Sequence, residues 1–327
     1  MAMSVYDEME AAAAKAGEEP DDMPAGFHPS VTTEMSVEER AGCLARNASI
    51  EIIPSTADKI TDFRDLMPLG ARVFVPFLPK TEFADCIPLA TRLRNESMEP
   101  VPHIAARRLR SRDELIDTLA ALSEQARVKE VLIIAGDPEE PAGPFENSMA
   151  VLETGLLEEF GIETIFVGGQ PEGIPGVPVE DVSNALDWKY AYAKQSAADV
   201  RLVTQFVLDP DNLMAWRRDL AERGIDLPLH VGVAGPTSLK TLMKFAGLTG
   251  AKASFRAMRK YGVKLTRLSD TAVPDDLVYL LASETEGARV HGLHVYTFGG
   301  FPRAVEWLSK WRAGAPQDCR QAGYATA

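Results

Sequence analysis

Eight short apolar runs punctuate residues 49–296: SIEII (49–53), RVFVPF (72–77), VPHI (101–104), EVLIIA (130–135), ETIFVG (163–168), VRLVTQF (200–206), LPLHVGV (227–233) and VHGLHVY (290–296). They are nearly continuous in Val, Ile, Leu and Phe, the pattern of strands covered on both faces. Between them lie segments with helical spacing, at about 57–67, 81–95, 111–127, 147–160, 184–197, 210–223, 238–247, 274–287 and 302–312, with a further helical insert at 251–262. Start signals support several of these. Ser36-Val37-Glu38-Glu39 has capping-box spacing and opens a helix through about Arg46, and Ser111-Arg112-Asp113-Glu114 opens another. Strict β–α alternation with eight strands predicts a (β/α)8 TIM barrel rather than an open doubly wound sheet, which usually has about five to seven strands. The expected organisation is a partly helical N-terminal extension (1–46), a catalytic barrel (47–312) and a loose C-terminal tail (313–327).

A parallel barrel brings the C-terminal ends of all its strands to one face, so polar residues at those ends converge although far apart in sequence. Glu51 stands inside an apolar strand, where a carboxylate is costly unless paired or used; desolvation suits it to general-acid work, while a strand-end side chain facing solvent is the plain alternative. Asp137 follows Gly136 at the end of the strongest strand and either points an acceptor at a ligand or forms an Asx turn. Gln205, beside Phe206, offers both donor and acceptor and either suits the edge of a heterocycle or is satisfied inside the barrel. His103 either positions a cofactor or packs as a neutral imidazole. His291 and His294 are three apart on a strand and face opposite ways, so a zinc site is rejected. Asp187 and Lys194, seven apart on a helix, share a face, which is either a ligand contact or a solvated helix surface. The cluster Arg107-Arg108-Arg110 is either an anion contact or a surface patch. The Gly168–Gly173 stretch matches no dinucleotide or P-loop fingerprint.

Composition narrows the class. The chain of 327 residues is 46% hydrophobic, enough for a large core, and carries a net charge of −14. That charge disfavours nucleic acid and anionic membranes as partners. No apolar stretch approaches the ~20 residues needed to cross a bilayer, and the acidic N-terminus lacks a secretory pattern. Three cysteines, Cys43, Cys86 and Cys319, match no metal motif and read as reduced thiols of a cytoplasmic protein.

Taken in order, these residues resemble the methylenetetrahydrofolate reductase family over about residues 47–311. The family's F-E-F-F-P-P strand reads Ile50-Glu51-Ile52-Ile53-Pro54-Ser55 here, and its R-G-D reads Ala135-Gly136-Asp137. Its K-x(6)-A-x(3)-T-Q-F stretch matches Lys194 through Phe206, and its H-F-Y-T reads His294-Val295-Tyr296-Thr297. The resemblance implies a folate substrate, FAD, and NADH or NADPH as hydride donor. It makes Glu51 the general acid and Asp137 a catalytic pterin partner. Gln205, Phe206 and Tyr296 would bind substrate, and His103, Asp187, Lys194, Gln170 and Arg107 would hold the flavin. A homo-oligomer is expected. The sequence departs from the family where Ala135 replaces Arg, Pro76-Phe77 replaces Thr-Tyr, Gln170 replaces Tyr and Gly299-Gly300 replaces Asn-Arg. These departures leave open direct hydride transfer from NADH without a flavin, and a folate-dependent methyl or one-carbon transferase.

Overall fold

The computed structural model describes residues 35–77, 82–248, 271–284, 289–317 and 319. All eight apolar runs contain strands of one closed parallel barrel: β1 (Ser49–Glu51), β2 (Arg72–Val75), β3 (Glu99–Ala105), β4 (Glu130–Ile134), β5 (Thr164–Gly169), β6 (Asp199–Phe206), β7 (Leu229–Ala234) and, after the short antiparallel pair β8 (Thr237–Ser238) and β9 (Thr271–Ala272), β10 (Val290–Tyr296). Strand β10 lies between β7 and β1, which closes the ring.

The helices follow the strands: α1 (Val37–Arg46), α2 (Pro54–Ala57), α3 (Cys86–Asn95), α4 (Arg112–Ala126), α5 (Ser148–Leu152), α6 (Leu156–Glu159), α7 (Val179–Ala193), α8 (Pro210–Glu222), α9 (Leu239–Leu248), α10 (Asp275–Ser283) and α11 (Phe301–Arg312). Ser36 and Glu39 form the expected capping box at α1. Two expectations change. The long helix at 57–67 is instead the four-residue α2 and a 3-10 turn at Phe63–Asp65. There Asp62 accepts from the Arg64 N–H and the Glu96 carboxylate accepts from the Phe63 N–H, so side chains satisfy the backbone without a helix. The segment 147–160 is broken at Gly155, whose φ of 70° ends one helical turn and starts the next. The insert at 251–262 lies outside the described residues, as do residues 1–34 of the N-terminal extension.

Alternation along the strands produces two apolar layers. Val73, Ile104, Val131, Ile133, Ile165, Val231 and Val295 pack outward against the helices. Phe74, Val101, Leu132, Phe166 and Val203 form a separate cluster inside the barrel. At the end where strands begin, Arg72 makes two bonds to the Glu130 carboxylate across β3, at 2.7 and 3.0 Å.

The cysteine expectation is corrected. Cys43 and Cys319 form a disulfide between α1 and the C-terminal segment, and Cys86 is free and buried. The contact is tertiary and invisible in spacing: Gly42 lies under Ala315, and Arg46 donates to the Gln317 carbonyl at 3.0 Å. Burial raises the Cys86 thiol to about 11, which keeps it protonated near neutrality.

Candidate active site

Strand β1 is three residues long and bears two of the site's side chains, Ser49 and Glu51, on the same face. Its register pairs Ser49 with His294 and Glu51 with Phe74. Glu51 therefore enters the barrel mouth beside β10 and β2. Its Oε1 lies 3.3 Å from His294 Nε2 and 3.8 Å from His103 Nε2. The Thr297 hydroxyl donates to the Glu51 carbonyl at 3.1 Å and anchors the strand end.

Aromatic rings hold both imidazoles. Phe74 packs against His103 at 5.8 Å and against His294 at 4.4 Å between ring centroids. Burial depresses His103 from 6.5 to about 4; the neighbouring Glu51 opposes that shift and His294 adds to it. His103 is therefore neutral at physiological pH, and its Nε2 is buried with no hydrogen-bond partner. His294 is fully buried, with Nδ1 2.8 Å from Ser49 Oγ.

Tyr296, two residues after His294, shares its face. Its hydroxyl donates to the Thr204 carbonyl at 2.9 Å, and burial, with Glu51 close by, holds the phenol well above its ordinary range. Thr204 in turn accepts from the Gly232 N–H at 2.8 Å. Strand β6 is irregular here, and a Cβ on Gly232 would stand 2.4 Å from the Gln205 carbonyl oxygen, so only glycine allows this approach. Gln205 sits in this irregular stretch and is partly exposed. Phe206 is buried in a cluster with Leu208, Leu242, Tyr296 and Phe298. Next to it lies an apolar cavity of about 260 Å³, lined by Val207, Leu208, Ala234, Leu242, Ala272 and Leu277 among others.

Asp137 stands past the end of β4. Gly136, at φ 94°, turns the chain where an added Cβ would stand 3.2 Å from the Ala105 Cβ. The Asp137 carboxylate is exposed and takes two bonds from Arg108, both on Oδ1, at 3.0 and 2.6 Å. Arg108 in turn lies 5.5 Å from the Phe77 ring centroid.

The remaining expected positions do not join this group. Arg107 donates to the carbonyls of Glu146, Pro138 and Glu139 and ties down the loop after β4. Asp187 pairs with Arg223 at the end of α8. Lys194 follows the last turn of α7 with its ammonium 4.1 Å from the Tyr190 ring centroid, beside the residues that begin β6. That is the end of the barrel opposite Glu51. Gln170 follows β5, its amide near Gly168. A lysine that sequence reading passed over lies closer to the strand ends: Lys189, buried, donates to the Gly168 carbonyl at 3.0 Å, and burial lowers it from 10.5 to about 8. Among the described residues no group of three or more His, Cys, Asp or Glu side chains is arranged to hold a metal, and no helix is long and apolar enough to cross a membrane.

The family model for methylenetetrahydrofolate reductase matches residues 84–300. The chain belongs to the methylenetetrahydrofolate reductase family. The 5,10-methylenetetrahydrofolate reductase of Salmonella typhimurium is 27% identical over 205 residues, covering 61% of this chain and 66% of that protein. Methylenetetrahydrofolate reductase 2 of Saccharomyces cerevisiae is 26% identical over 140 residues, covering 40% of this chain and 23% of that protein. The chain thus matches less than two thirds of the length of these curated relatives. Among solved structures, dihydropteroate synthase from Thermus thermophilus covers 81% of this chain and 92% of its own at 14% identity, with a TM-score of 0.42. Glu51 lies before the segment matched to the family, and its place in the site follows from the pairing of β1 with β10 and β2.

The family resemblance assigned a flavin to His103, Asp187, Lys194, Gln170 and Arg107. They lie at different places in the barrel. The Asp187 carboxylate and the Arg107 guanidinium are bound to other protein groups, and Lys194 is at the opposite end of the barrel. His103 stands beside Glu51, with its Nε2 3.8 Å from the carboxyl oxygen.

Proposed function

We propose that this chain reduces 5,10-methylenetetrahydrofolate to 5-methyltetrahydrofolate with NAD(P)H as the hydride source. The observation that carries this reading is the Glu51 carboxyl at the strand ends of a barrel of this family, set between two imidazoles and beside the Tyr296–Phe206 cluster. Glu51 donates a proton to N10 of the folate, the N10–methylene bond breaks, and the methylene becomes an iminium on N5. Hydride from C4 of the dihydronicotinamide then adds to the methylene carbon. One substrate, one NAD(P)H and one proton give one methyl product and one NAD(P)+.

Asp137 accepts hydrogen bonds from the pterin through Oδ2, since both Arg108 bonds fall on Oδ1. Gln205 reads the pterin edge, and Phe206 with Tyr296 forms the apolar wall. With Asp187 and Arg107 engaged by other protein groups and Lys194 at the far end of the barrel, the reading favours direct transfer between nicotinamide and folate held in one pocket.

The test is the oxidation of NADH and of NADPH by purified protein supplied with methylenetetrahydrofolate, with and without added FAD. The product is identified by mass spectrometry, and the absorption spectrum of the protein is recorded. Formation of methyltetrahydrofolate by a colourless preparation supports direct transfer. Activity that appears only with bound flavin overturns the direct route. Absence of nicotinamide oxidation under all conditions overturns the function.

A further inference from the structure

A general acid must hold a proton before its step and lose it afterwards, so its partner has to satisfy both forms. Glu51 Oε1 faces two imidazole nitrogens, His294 Nε2 at 3.3 Å and His103 Nε2 at 3.8 Å. Behind His294 stands Ser49, with its Oγ 2.8 Å from Nδ1 and 3.5 Å from the Leu293 carbonyl oxygen.

A hydroxyl is both donor and acceptor, so Ser49 can satisfy either tautomer of His294. When Ser49 donates to the Leu293 carbonyl, it accepts from Nδ1–H. Nε2 then bears a lone pair and suits a protonated Glu51. When Ser49 donates to Nδ1, Nε2 bears the proton and suits the carboxylate. The ring itself stays in place: it packs 4.4 Å from Phe74 and 4.7 Å from Tyr296, centroid to centroid.

The other groups facing Glu51 lack this adaptability. His103 is kept neutral by burial, and its Nε2 lies beyond hydrogen-bond range of the carboxyl. The Tyr296 hydroxyl is bound to the Thr204 carbonyl.

We propose that His294, backed by Ser49, is the positioning residue for Glu51, exchanging tautomers as the carboxyl loses and regains its proton. This inference rests on the reading of Glu51 as the general acid, but its structural core can be tested without turnover.

The first measurement uses the ligand-free protein. Long-range 15N–1H correlation spectra report which imidazole nitrogen carries the proton, and the His294 signals are assigned by their loss in His294→Phe. The proton of His294 should sit on Nδ1 where Glu51 is protonated and on Nε2 where it is ionised, so the tautomer balance of the wild type should depend on pH. In Glu51→Gln, whose carboxamide binds no proton over this range, that pH response should be absent. In Ser49→Ala the balance between tautomers should change. A tautomer balance identical in wild type, Glu51→Gln and Ser49→Ala overturns the proposal.

The second measurement is kinetic. His294→Phe keeps an aromatic ring and should lower kcat by about tenfold to a hundredfold, part of the ~10²–10⁴-fold that general-acid catalysis contributes. KM should stay within about threefold, and the pH profile of kcat should shift. His294→Asn, which restores a donor and acceptor, should recover part of the loss. If Glu51→Gln is inactive while His294→Phe retains the wild-type kcat and pH profile, the positioning role fails and the function stands. If Glu51→Gln turns over normally, the general-acid reading fails, and the spectroscopic result still decides whether His294 answers to Glu51.

Discussion

Replacing His103 by Phe should remove a specific part of the protein's acid sensitivity. In the folded state burial lowers this imidazole to about 4, against 6.5 for the free group. Between these values the unfolded chain binds a proton that the folded chain refuses, so stability falls as pH falls. At one pKa unit per 1.36 kcal/mol, the loss from this group alone is about 0.2 kcal/mol at pH 7, about 2 kcal/mol at pH 5 and about 3 kcal/mol at pH 4. Below pH 4 both states are protonated and the loss levels off. His230, also buried and depressed, contributes in the same direction, so the wild-type curve alone does not isolate His103. The difference between wild type and His103→Phe does. Phe preserves a ring against Phe74, which meets His103 edge-on.

The assay is urea unfolding at pH 7, 6, 5 and 4.5, followed by circular dichroism. Relative to wild type, the variant should gain about 2 kcal/mol between pH 7 and pH 5, whatever offset it has at pH 7. A gap between the two proteins that stays constant over that range would refute the picture of His103 as a neutral imidazole held beside Glu51.

Three further outcomes follow from the same geometry. Glu51→Gln should abolish most folate reduction, by ~10²–10⁴-fold, while folate affinity stays within about tenfold; steady-state turnover and equilibrium binding check the two halves separately. Thr204→Val keeps the shape but leaves the Gly232 N–H without its acceptor, so thermal unfolding should show a loss of about 1–3 kcal/mol. Lys189→Met removes an ammonium whose folded pKa is about 8 rather than 10.5, so the variant should be more stable than wild type near pH 7. The gap should close as pH rises from 8 towards 10.5, where the unfolded chain alone still binds the proton; a gap independent of pH in chemical denaturation would contradict the assignment.

The barrel was legible because its strands are buried on both faces and announce themselves as apolar runs. Helix limits were less legible where tertiary bonds replace helical ones, as at Phe63 with Glu96, or where one glycine turns the chain, as at Gly155. In the site, the strand-borne residues were readable one by one, and Glu51, His103 and Tyr296 do meet. His294 was dismissed once a zinc site was rejected. The signal that identifies it was present in the parity: it lies two residues before Tyr296, and Ser49 two before Glu51, so all four share the inward face. The Cys43–Cys319 bond carried no such signal, since it depends on the C-terminal segment folding back onto α1.

Parity also explains why the expected residues on strands meet at one rim while those on helices do not. On a strand, the last inward residue of each of eight neighbours falls on the same rim, so sequence order alone brings such residues together. On a helix, seven residues are two turns and about 10 Å of length, so Asp187 and Lys194 share a face yet stand at different heights along the barrel wall. Their shared face therefore carries no information about distance to the rim. Lys189 reaches the rim because it is a turn and a half nearer the start of α7, and a helical side chain leans toward the start of its helix. A one-residue slip of β1 would exchange Glu51 for Ile50 or Ile52 inside the barrel, and that is prevented on both sides, by Ser49 against His294 and by Glu51 against Phe74. The shortest strand of the barrel is thus held in register by two pairings that also place Glu51 at the barrel mouth.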